Sequence, residues 1–449
     1  MNYDVLVAGG GTAGLFAAYR LAKAGLSVAM VERKTQENIG EKVCGDAVGE
    51  HHFKEVGLEP PRIGVDAVHE FRGVRVYSPS KRAHVTAYGK GYALDRKAFG
   101  QRLLRLALDA GAELLDSHVI LKPIVEESWV KGLVVKGGGG TKELRSKVVV
   151  EATGSAAAVR TKLPKEWWVS EDIPKEDYNI AYRVIAEVEE RQDPYYALIY
   201  LDVEVAPGGY WWWFPKGEYT VNVGLGVRPD LGVNPKKQVE KVLYPILEKA
   251  GAKIIHEGGG LVPTRRPLPC MVWNGLVAVG DAACTANPIH GGGIGPSLDS
   301  SYHATNTIIE ALEEGEPTIE ALWPYHRAYI ETYGDKQAGL DALRIFLQGL
   351  TNDDLDFAIE KGIVTDKELS EMGYQGELLK SIVDKAVRGL KLITRPTLLR
   401  QIVAARDYVN KAKKLYAEFP EMPDKFEEWR TKQEKLFAEI KARFWRSTP

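Results

Sequence analysis

Residues 3–25 read YDVLVAGGGTAGLFAAYRLAKAG, and the order of residue types within them decides the fold. Residues 3–8 form a short apolar run rich in β-formers. Gly9, Gly11 and Gly14 follow with the spacing G-x-G-x-x-G, and leucine, alanine and tyrosine then recur at helical intervals until Gly25. The next stretch, LSVAMVER at 26–33, reads as a second strand that ends on Glu32. A strand, a glycine turn, a helix, a strand and a terminal acid together make a dinucleotide-binding unit. Gly9 permits the tight turn, Gly11 lets the backbone approach a pyrophosphate, and Gly14 lets the helix lie close to the strand. The helix N-terminus attracts the phosphates. Ala13 belongs to the same turn, and Glu32, with Arg33 beside it, is placed to accept hydrogen bonds from the adenosine ribose. The unit alone does not separate FAD from NAD.

A chain of 449 residues is long for one hydrophobic core, so two or three lobes are expected. Its composition, 45% hydrophobic and 27% charged, is that of an ordinary globular protein, and a net charge of -2 offers no general attraction to nucleic acid. Cys44, Cys270 and Cys284 are too few for a disulfide framework and have no metal-ligand spacing, so no metal and a reducing compartment are expected. The chain enters a strand within a few residues of Met1, which argues against a signal peptide. No uncharged apolar run approaches the ~20 residues of a membrane-spanning helix. The expectation is a cytoplasmic protein with at most peripheral contact on the cytoplasmic face of a membrane.

Residues 207–217, PGGYWWWFPKG, concentrate aromatic surface in one place. In a strand, Tyr210, Trp212 and Phe214 share one face while Trp211 and Trp213 share the other. One face suits core, and the other needs an apolar partner: a second sheet, a subunit or a greasy ligand.

A second glycine cluster lies at 275–295, GLVAVGDAACTANPIHGGGIG, where a strand ends in Gly280 and Asp281 and a glycine run opens a helical segment. Together with the first unit, this resembles the FAD-dependent oxidoreductases that include the aromatic hydroxylases and the geranylgeranyl reductases. The resemblance implies that Asp281 holds the ribityl and pyrophosphate region. It also implies that Gly292, Gly293 and Ile294 bring a helix N-terminus to the flavin's pyrimidine edge, where its dipole favours anionic reduced flavin. Arg96 matches an arginine near the flavin phosphates, and Val119 a position whose backbone meets adenine. The segment 148–160, VVVEATGSAAAVR, departs from the hydroxylases, with Thr153 and Gly154 in place of their Asp-Gly, which weakens the case for direct nicotinamide recognition. The electron donor is left open among reduced ferredoxin, NAD(P)H and another carrier.

Residues 39–48, IGEKVCGDAV, narrow the resemblance, because they carry the K-x-C-G-D segment of the geranylgeranyl reductases. The same family's P-x-x-Y-x-W-x-F-P motif is matched in full by Pro207, Tyr210, Trp212, Phe214 and Pro215. LVPTRRPL at 261–268 and NPIHGGGIG at 287–295 also look like archaeal members. The resemblance runs over nearly the whole chain. It implies FAD-dependent reduction of geranylgeranyl double bonds in 2,3-di-O-geranylgeranylglycerol-type phospholipids, or in geranylgeranyl diphosphate, with Val43, Cys44, Gly45 and Asp46 beside the flavin. Each buried isoprenoid methylene gains about 0.8 kcal/mol, so an aromatic tunnel formed by Tyr210, Trp212 and Phe214 suits such a substrate. An isolated alkene has no carbonyl to accept charge, so hydride transfer needs a nearby acid, for which Cys44, His290 and Tyr210 are the candidates. Arg265 and Arg266 are candidate contacts for a lipid phosphate. A flavin monooxygenase or halogenase, a flavin-assisted isoprenoid cyclase and a non-enzymatic lipid carrier are the rival readings.

The fold expected is α/β, α+β overall: a Rossmann-type FAD-binding domain of the aromatic hydroxylase-like type, a β-sheet substrate lobe and a helical C-terminal region. The FAD domain is assigned to 1–50, 85–160 and 270–310, an antiparallel substrate domain to 51–84 and 161–269, and the helical domain to 311–449. A glycine turn at 137–140 is expected to close a hairpin. The basic stretch at 380–415 interleaves charge with leucine, isoleucine and valine, which suits either anionic lipid or a solvated face.

Overall fold

The computed structural model describes residues 2–374 and 395–445, without the side chains of 371–374, and two eight-stranded sheets organise them. In the first, Asn2–Ala8 pairs in parallel with Val28–Val31 on one side and Gly140–Glu151 on the other, and Glu113–Leu115 and Leu276–Ala278 extend it. Its central strands are apolar on both faces because both faces are covered. Val5, Val7, Val28, Met30, Val148 and Val150 share a core with helices Thr12–Lys23 and Ile294–Glu314, while Leu6, Ala8, Ala29, Val31 and Val149 join Val159, Leu163 and Trp167 on the other side. The expected hairpin at 137–140 is present, joining Trp129–Gly137 to Gly140–Glu151.

The second sheet runs in the order Lys253–Pro263, Tyr178–Glu187, Thr220–Val227, Tyr210–Pro215, Tyr196–Tyr200, Ala67–Tyr77, His84–Leu94 and Ala47–Gly49. Its pairings are antiparallel except between Tyr196–Tyr200 and Ala67–Tyr77. Two expected boundaries move. His84–Leu94 hydrogen-bonds to Ala67–Tyr77, so the chain returns to the dinucleotide domain at helix Arg96–Asp109, not at residue 85. The described residues beyond 311 share the core of the dinucleotide half. Leu340, Leu343, Ile402, Val409 and Phe437 belong to the same continuous core as Val5 and Phe16.

The basic stretch at 380–415 lies partly outside the described residues. Its described part belongs to helix Pro396–Ala417, which buries Leu398, Ile402, Ala405, Val409, Ala412 and Tyr416, largely against helix Asp335–Leu347. The apolar side of this helix is therefore taken up by the protein core and is not free for a lipid surface. Among the described residues, no helix is long and apolar enough to cross a membrane.

A buried ion network joins the second sheet and its flanking loops to the C-terminal helices. Asp177 leads into Tyr178–Glu187 and faces Arg344 at 3.0 Å, Lys441 at 3.0 Å, and Arg265 and Arg266 each at 3.8 Å. Asp341 pairs with Arg344 at 2.7 Å and Arg266 at 3.1 Å, and Glu171 pairs with Arg265 at 3.3 Å. The expectation that Arg265 and Arg266 meet a lipid phosphate is thereby corrected. Both are buried, at 1% and 8% exposure, and committed to carboxylates that cannot be stripped of their partners without leaving bare charge in the interior.

Candidate active site

A cavity of about 1680 Å³ runs from the Gly9–Gly11 turn past Cys44 and the aromatic strand to an apolar chamber. Ordinary small-molecule sites span roughly 300–1,000 Å³, so this one has room for more than one ligand. The chamber is walled by Val74, Val85 and Ile199 of the second sheet, by Leu347, Leu355, Ile359 and Leu398 from the helices, and by Ile363 from the turn after Asn352–Glu360. Helices Asn352–Glu360 and Asp366–Tyr374 are pinned over the sheet by hydrogen bonds. Asp356 accepts from Ser80 Oγ at 2.6 Å and Asp366 from the Thr86 amide at 2.8 Å.

The first end of the cavity fits a dinucleotide. Helix Thr12–Lys23 starts at Gly11 and helix Ile294–Glu314 at Gly293, both without a side chain capping their first amides, and both ends open on the cavity. A methyl group on Gly11 would meet nothing within 4 Å, whereas one on Gly14 would lie 2.0 Å from the Gly9 carbonyl oxygen. The first glycine therefore leaves a cradle open, and the second allows the helix its close approach. Glu32 accepts from the Gly10 amide at 2.7 Å and the Lys34 amide at 2.9 Å, which fixes the carboxylate while leaving lone pairs for hydroxyls. Arg96 is the first residue of its helix, where Asp95 accepts from the Ala98 amide, and one guanidinium nitrogen donates to Thr12 Oγ1 at 3.3 Å. Its Nε and Nη1 are buried without a hydrogen-bond partner, a need that a pyrophosphate in the cradle would meet. Ala13, Arg33, Val119, Asp281, Gly292 and Ile294 line the same space, with Asp281 Oδ2 accepting from Lys42 at 3.2 Å. Arg96→Met is expected to weaken cofactor binding by about tenfold to a hundredfold, the range for a lost charge-assisted hydrogen bond, as read by fluorescence titration of the apoprotein with FAD.

Strand alternation sorts the aromatic stretch. Tyr210, Trp212 and Phe214 line the cavity. Trp211 points the other way, stacked on Tyr200 at 3.8 Å, and Trp213 donates to Gln192 at 2.9 Å. Gly224 lies opposite Trp212, and a methyl group on it would sit 2.6 Å from the indole, so glycine lets the ring lie flat across the neighbouring strand. The Cys44 loop abuts this row, because a methyl group on Gly45 would lie 3.1 Å from the Phe214 ring. Cys44 is a half-buried free thiol on the cavity wall, with Val43, Gly45 and Asp46 around it. Cys270 and Cys284 are buried, with burial pushing their thiols up to about 12 and about 11.

The other two acid candidates are poorly suited to give up a proton. The His290 ring faces the cavity, yet the protein mass around it, reinforced by His52 and Lys336, pushes it down to about 4, so it is neutral at pH 7. Its Nδ1 accepts from the Gly292 amide at 3.1 Å. The Tyr210 hydroxyl donates to the His290 carbonyl at 2.7 Å, and burial raises its pKa far above the ordinary phenol value. It ties the aromatic strand to the glycine loop. Near them, His51, His52 and Glu55 bring ligating atoms within 4.8 Å of one another, and burial and the His52 charge push His51 down to about 4.

This chain matches two family models: FAD dependent oxidoreductase over residues 4–162 and geranylgeranyl reductase catalytic domain over 177–262. It is 40% identical over 98% of both chains to a digeranylgeranylglycerophospholipid reductase of Sulfolobus acidocaldarius. It belongs to the geranylgeranyl reductase family. A digeranylgeranylglycerophospholipid reductase of Methanosarcina acetivorans is 34% identical over 79% of this chain and 87% of its own. A solved geranylgeranyl bacteriochlorophyll reductase-like protein from Thermoplasma acidophilum superposes with a TM-score of 0.79 at 27% identity, over 90% of this chain and 99% of its own. A flavin-dependent brominase, 19% identical with a TM-score of 0.64 over 91% of this chain and 100% of its own, shares the fold alone. This FAD-dependent oxidoreductase joins a half that matches the FAD dependent oxidoreductase model to a sheet whose strands from Tyr178 to Val262 fall in the geranylgeranyl reductase catalytic domain match.

The structure adds residues that the motifs did not single out. Lys216, Asn222, Gly224 and Arg183 all border the Cys44 loop or Trp212. Lys216 directly follows the aromatic motif, and pairing the two strands through their short glycine turn places Asn222 opposite Phe214. That register was within reach of the sequence. The helices that close the chamber were not, because nothing in their pattern names the surface they cover.

Proposed function

We propose that this reductase saturates the carbon–carbon double bonds of geranylgeranyl chains, with digeranylgeranylglycerophospholipid as substrate and archaeol-type lipid as product. The observation that carries the reading is one continuous cavity that joins the dinucleotide cradle to an apolar chamber along Tyr210, Trp212 and Phe214. Bound reduced FAD supplies hydride. The protein excludes water with the aromatic row, holds the prenyl chain between the second sheet and the helices, and presents Cys44 where the cradle meets the tunnel. In this reading Cys44 is the proton donor, Tyr210 holds the tunnel wall in place through the His290 carbonyl, and Trp212 and Phe214 bind the chain. Electrons reach the site from a carrier outside the chain. Reduced ferredoxin, NAD(P)H or another reductant is identified by which of them bleaches the bound flavin anaerobically.

Anaerobic incubation of dithionite-reduced protein with the geranylgeranylated phospholipid, followed by mass spectrometry, tests the proposal. The expected product gains two hydrogens per reduced double bond. Unchanged mass with rearranged carbons would make this a cyclase, and added oxygen a monooxygenase. Cys44→Ala is expected to slow the reaction by about a hundredfold or more, the usual contribution of a positioned general acid, with FAD content unchanged. Full activity in that variant would remove Cys44 as the donor.

A further inference from the structure

Lys216 reaches back from the end of the aromatic strand to the cysteine loop. Its ammonium donates to Asp46 Oδ2 at 2.6 Å and to the Leu94 carbonyl at 3.0 Å, and Asp46 is only 2% exposed. Asp46 adopts a left-handed backbone at φ 64°, and its amide donates to Cys44 Sγ at 3.3 Å. Asn222, fully buried, closes the assembly. Its Nδ2 donates to the Cys44 carbonyl at 2.8 Å and to Asp46 Oδ2 at 3.3 Å, and its Oδ1 accepts from the Trp212 indole at 3.1 Å. The other oxygen of Asp46 is buried without a hydrogen-bond partner, so the direct ion pair with Lys216 is the main compensation for this carboxylate beside the thiol, with Arg183 as a more distant second charge. Among the described residues, Arg183, buried on Tyr178–Glu187, acts on both Cys44 and Asp46, and Tyr210 on the aromatic strand also acts on Cys44. His256 on Lys253–Pro263 engages Arg183 Nη1 at 2.9 Å.

We infer that Lys216 is a positioning residue for Cys44: the Lys216–Asp46 charge pair fixes the thiol against the aromatic row and sets how readily it releases its proton. An uncompensated carboxylate next to a thiol opposes formation of the thiolate, and a carboxylate neutralised by an ammonium does not. The inference deepens the proposed function and rests on its reading of Cys44. As hydride arrives at one alkene carbon, the S–H bond breaks and a C–H bond forms at the other. The thiolate left behind is held by the Asp46 amide and the Arg183 charge, and it takes a proton from water before the next double bond.

Alkylation of Cys44 in the FAD-loaded protein, followed with iodoacetamide across pH, tests the pair without any lipid. Cys270 and Cys284 are buried, so the label reports Cys44. Lys216→Met is expected to raise the labelling midpoint by about one pH unit, hence about tenfold slower labelling at neutral pH. Asp46→Asn is expected to lower it. Lys216→Arg and the double variant Lys216→Met/Asp46→Asn are expected to return it near the wild-type value. Single-variant shifts in the same direction, or none, would overturn the inference, because a purely structural loop contact has no sign. Should Lys216→Met fail to fold, Asp46→Asn and the double variant carry the same contrast. Lipid reduction is measured separately on the same set. Labelling shifts of the expected signs with no lipid reduced by wild type would sink the substrate reading and leave the charge pair standing. Lipid reduction with unshifted labelling would overturn the Lys216 inference alone.

Discussion

Gly14→Ala is expected to yield a protein that purifies without flavin. The added methyl group lies 2.0 Å from the Gly9 carbonyl oxygen, 3.1 Å from the carbon behind it and 3.2 Å from the Ala152 methyl. The first contact is with backbone of the very turn that cradles the dinucleotide, so no side chain can swing aside to relieve it. Helix Thr12–Lys23 must move away from strand Asn2–Ala8, carrying its free amides off the pyrophosphate position and opening a gap beside Leu15, Phe16 and Val5. Flavin absorbance of the purified protein and titration of the apoprotein with FAD measure the effect. Stoichiometric flavin in the variant would show that the helix has slack the packing does not reveal. Gly11→Ala serves as the contrast, since its methyl group meets no protein atom within 4 Å. It is expected to keep the wild-type unfolding midpoint of the apoprotein and lose affinity only for the cofactor.

Asp177→Ala is expected to destabilise the fold by about 3–5 kcal/mol, the range for breaking a buried ion pair and leaving its partner charged. Four cations, Arg265, Arg266, Arg344 and Lys441, converge on this carboxylate from the loop after Lys253–Pro263, from helix Asp335–Leu347 and from helix Phe426–Phe444. Burial alone would raise the pKa of Asp177, but attraction by Arg344, Arg265, Arg266 and Lys441 outweighs it and holds the carboxyl well below its ordinary value. A group whose pKa is depressed on folding contributes its stability fully above the unfolded value of about 3.9, and that contribution fades only as pH falls through the lower folded value. Urea unfolding of wild type and variant should therefore differ by a constant amount from pH 8 down to about pH 5 and converge only in stronger acid. Convergence already at pH 5 would mean that the cations do not act on Asp177 as the geometry requires.

Much of the site was legible because its parts are local. The turn at Gly9–Gly14, the uncapped helix start at Gly293 and the alternation of Tyr210, Trp212 and Phe214 each depend on residues within a few positions of one another, and Glu32 ends the strand that directly follows the first helix. They lie where their spacing places them. Errors arose where the chemistry of a residue depends on partners distant in sequence. Arg265 and Arg266 resemble anion ligands as a dipeptide, yet Asp177 and Asp341, far along the chain in both directions, claim them. Strand His84–Leu94 precedes a helix of the dinucleotide half and looked like part of it, but its hydrogen bonds go to Ala67–Tyr77. The amphipathic pattern in Pro396–Ala417 recorded an apolar face correctly and could not say that helix Asp335–Leu347 covers it.

The sequence by itself determined the dinucleotide unit and the division of the aromatic stretch into two faces, because each is written in short-range periodicity and spacing that the backbone turns directly into geometry; the family followed from the resemblance of its motifs. Only the tertiary structure decided which charges are available and which are spent. It buried Arg265 and Arg266 among carboxylates, set His290 amid protein mass and beside His52 and Lys336, which favour its neutral form, and brought Lys216 to Asp46 beside Cys44. The physical reason is common to all three: the state of a charged group is set by the dielectric and the partners around it, and both come into existence only when distant segments pack.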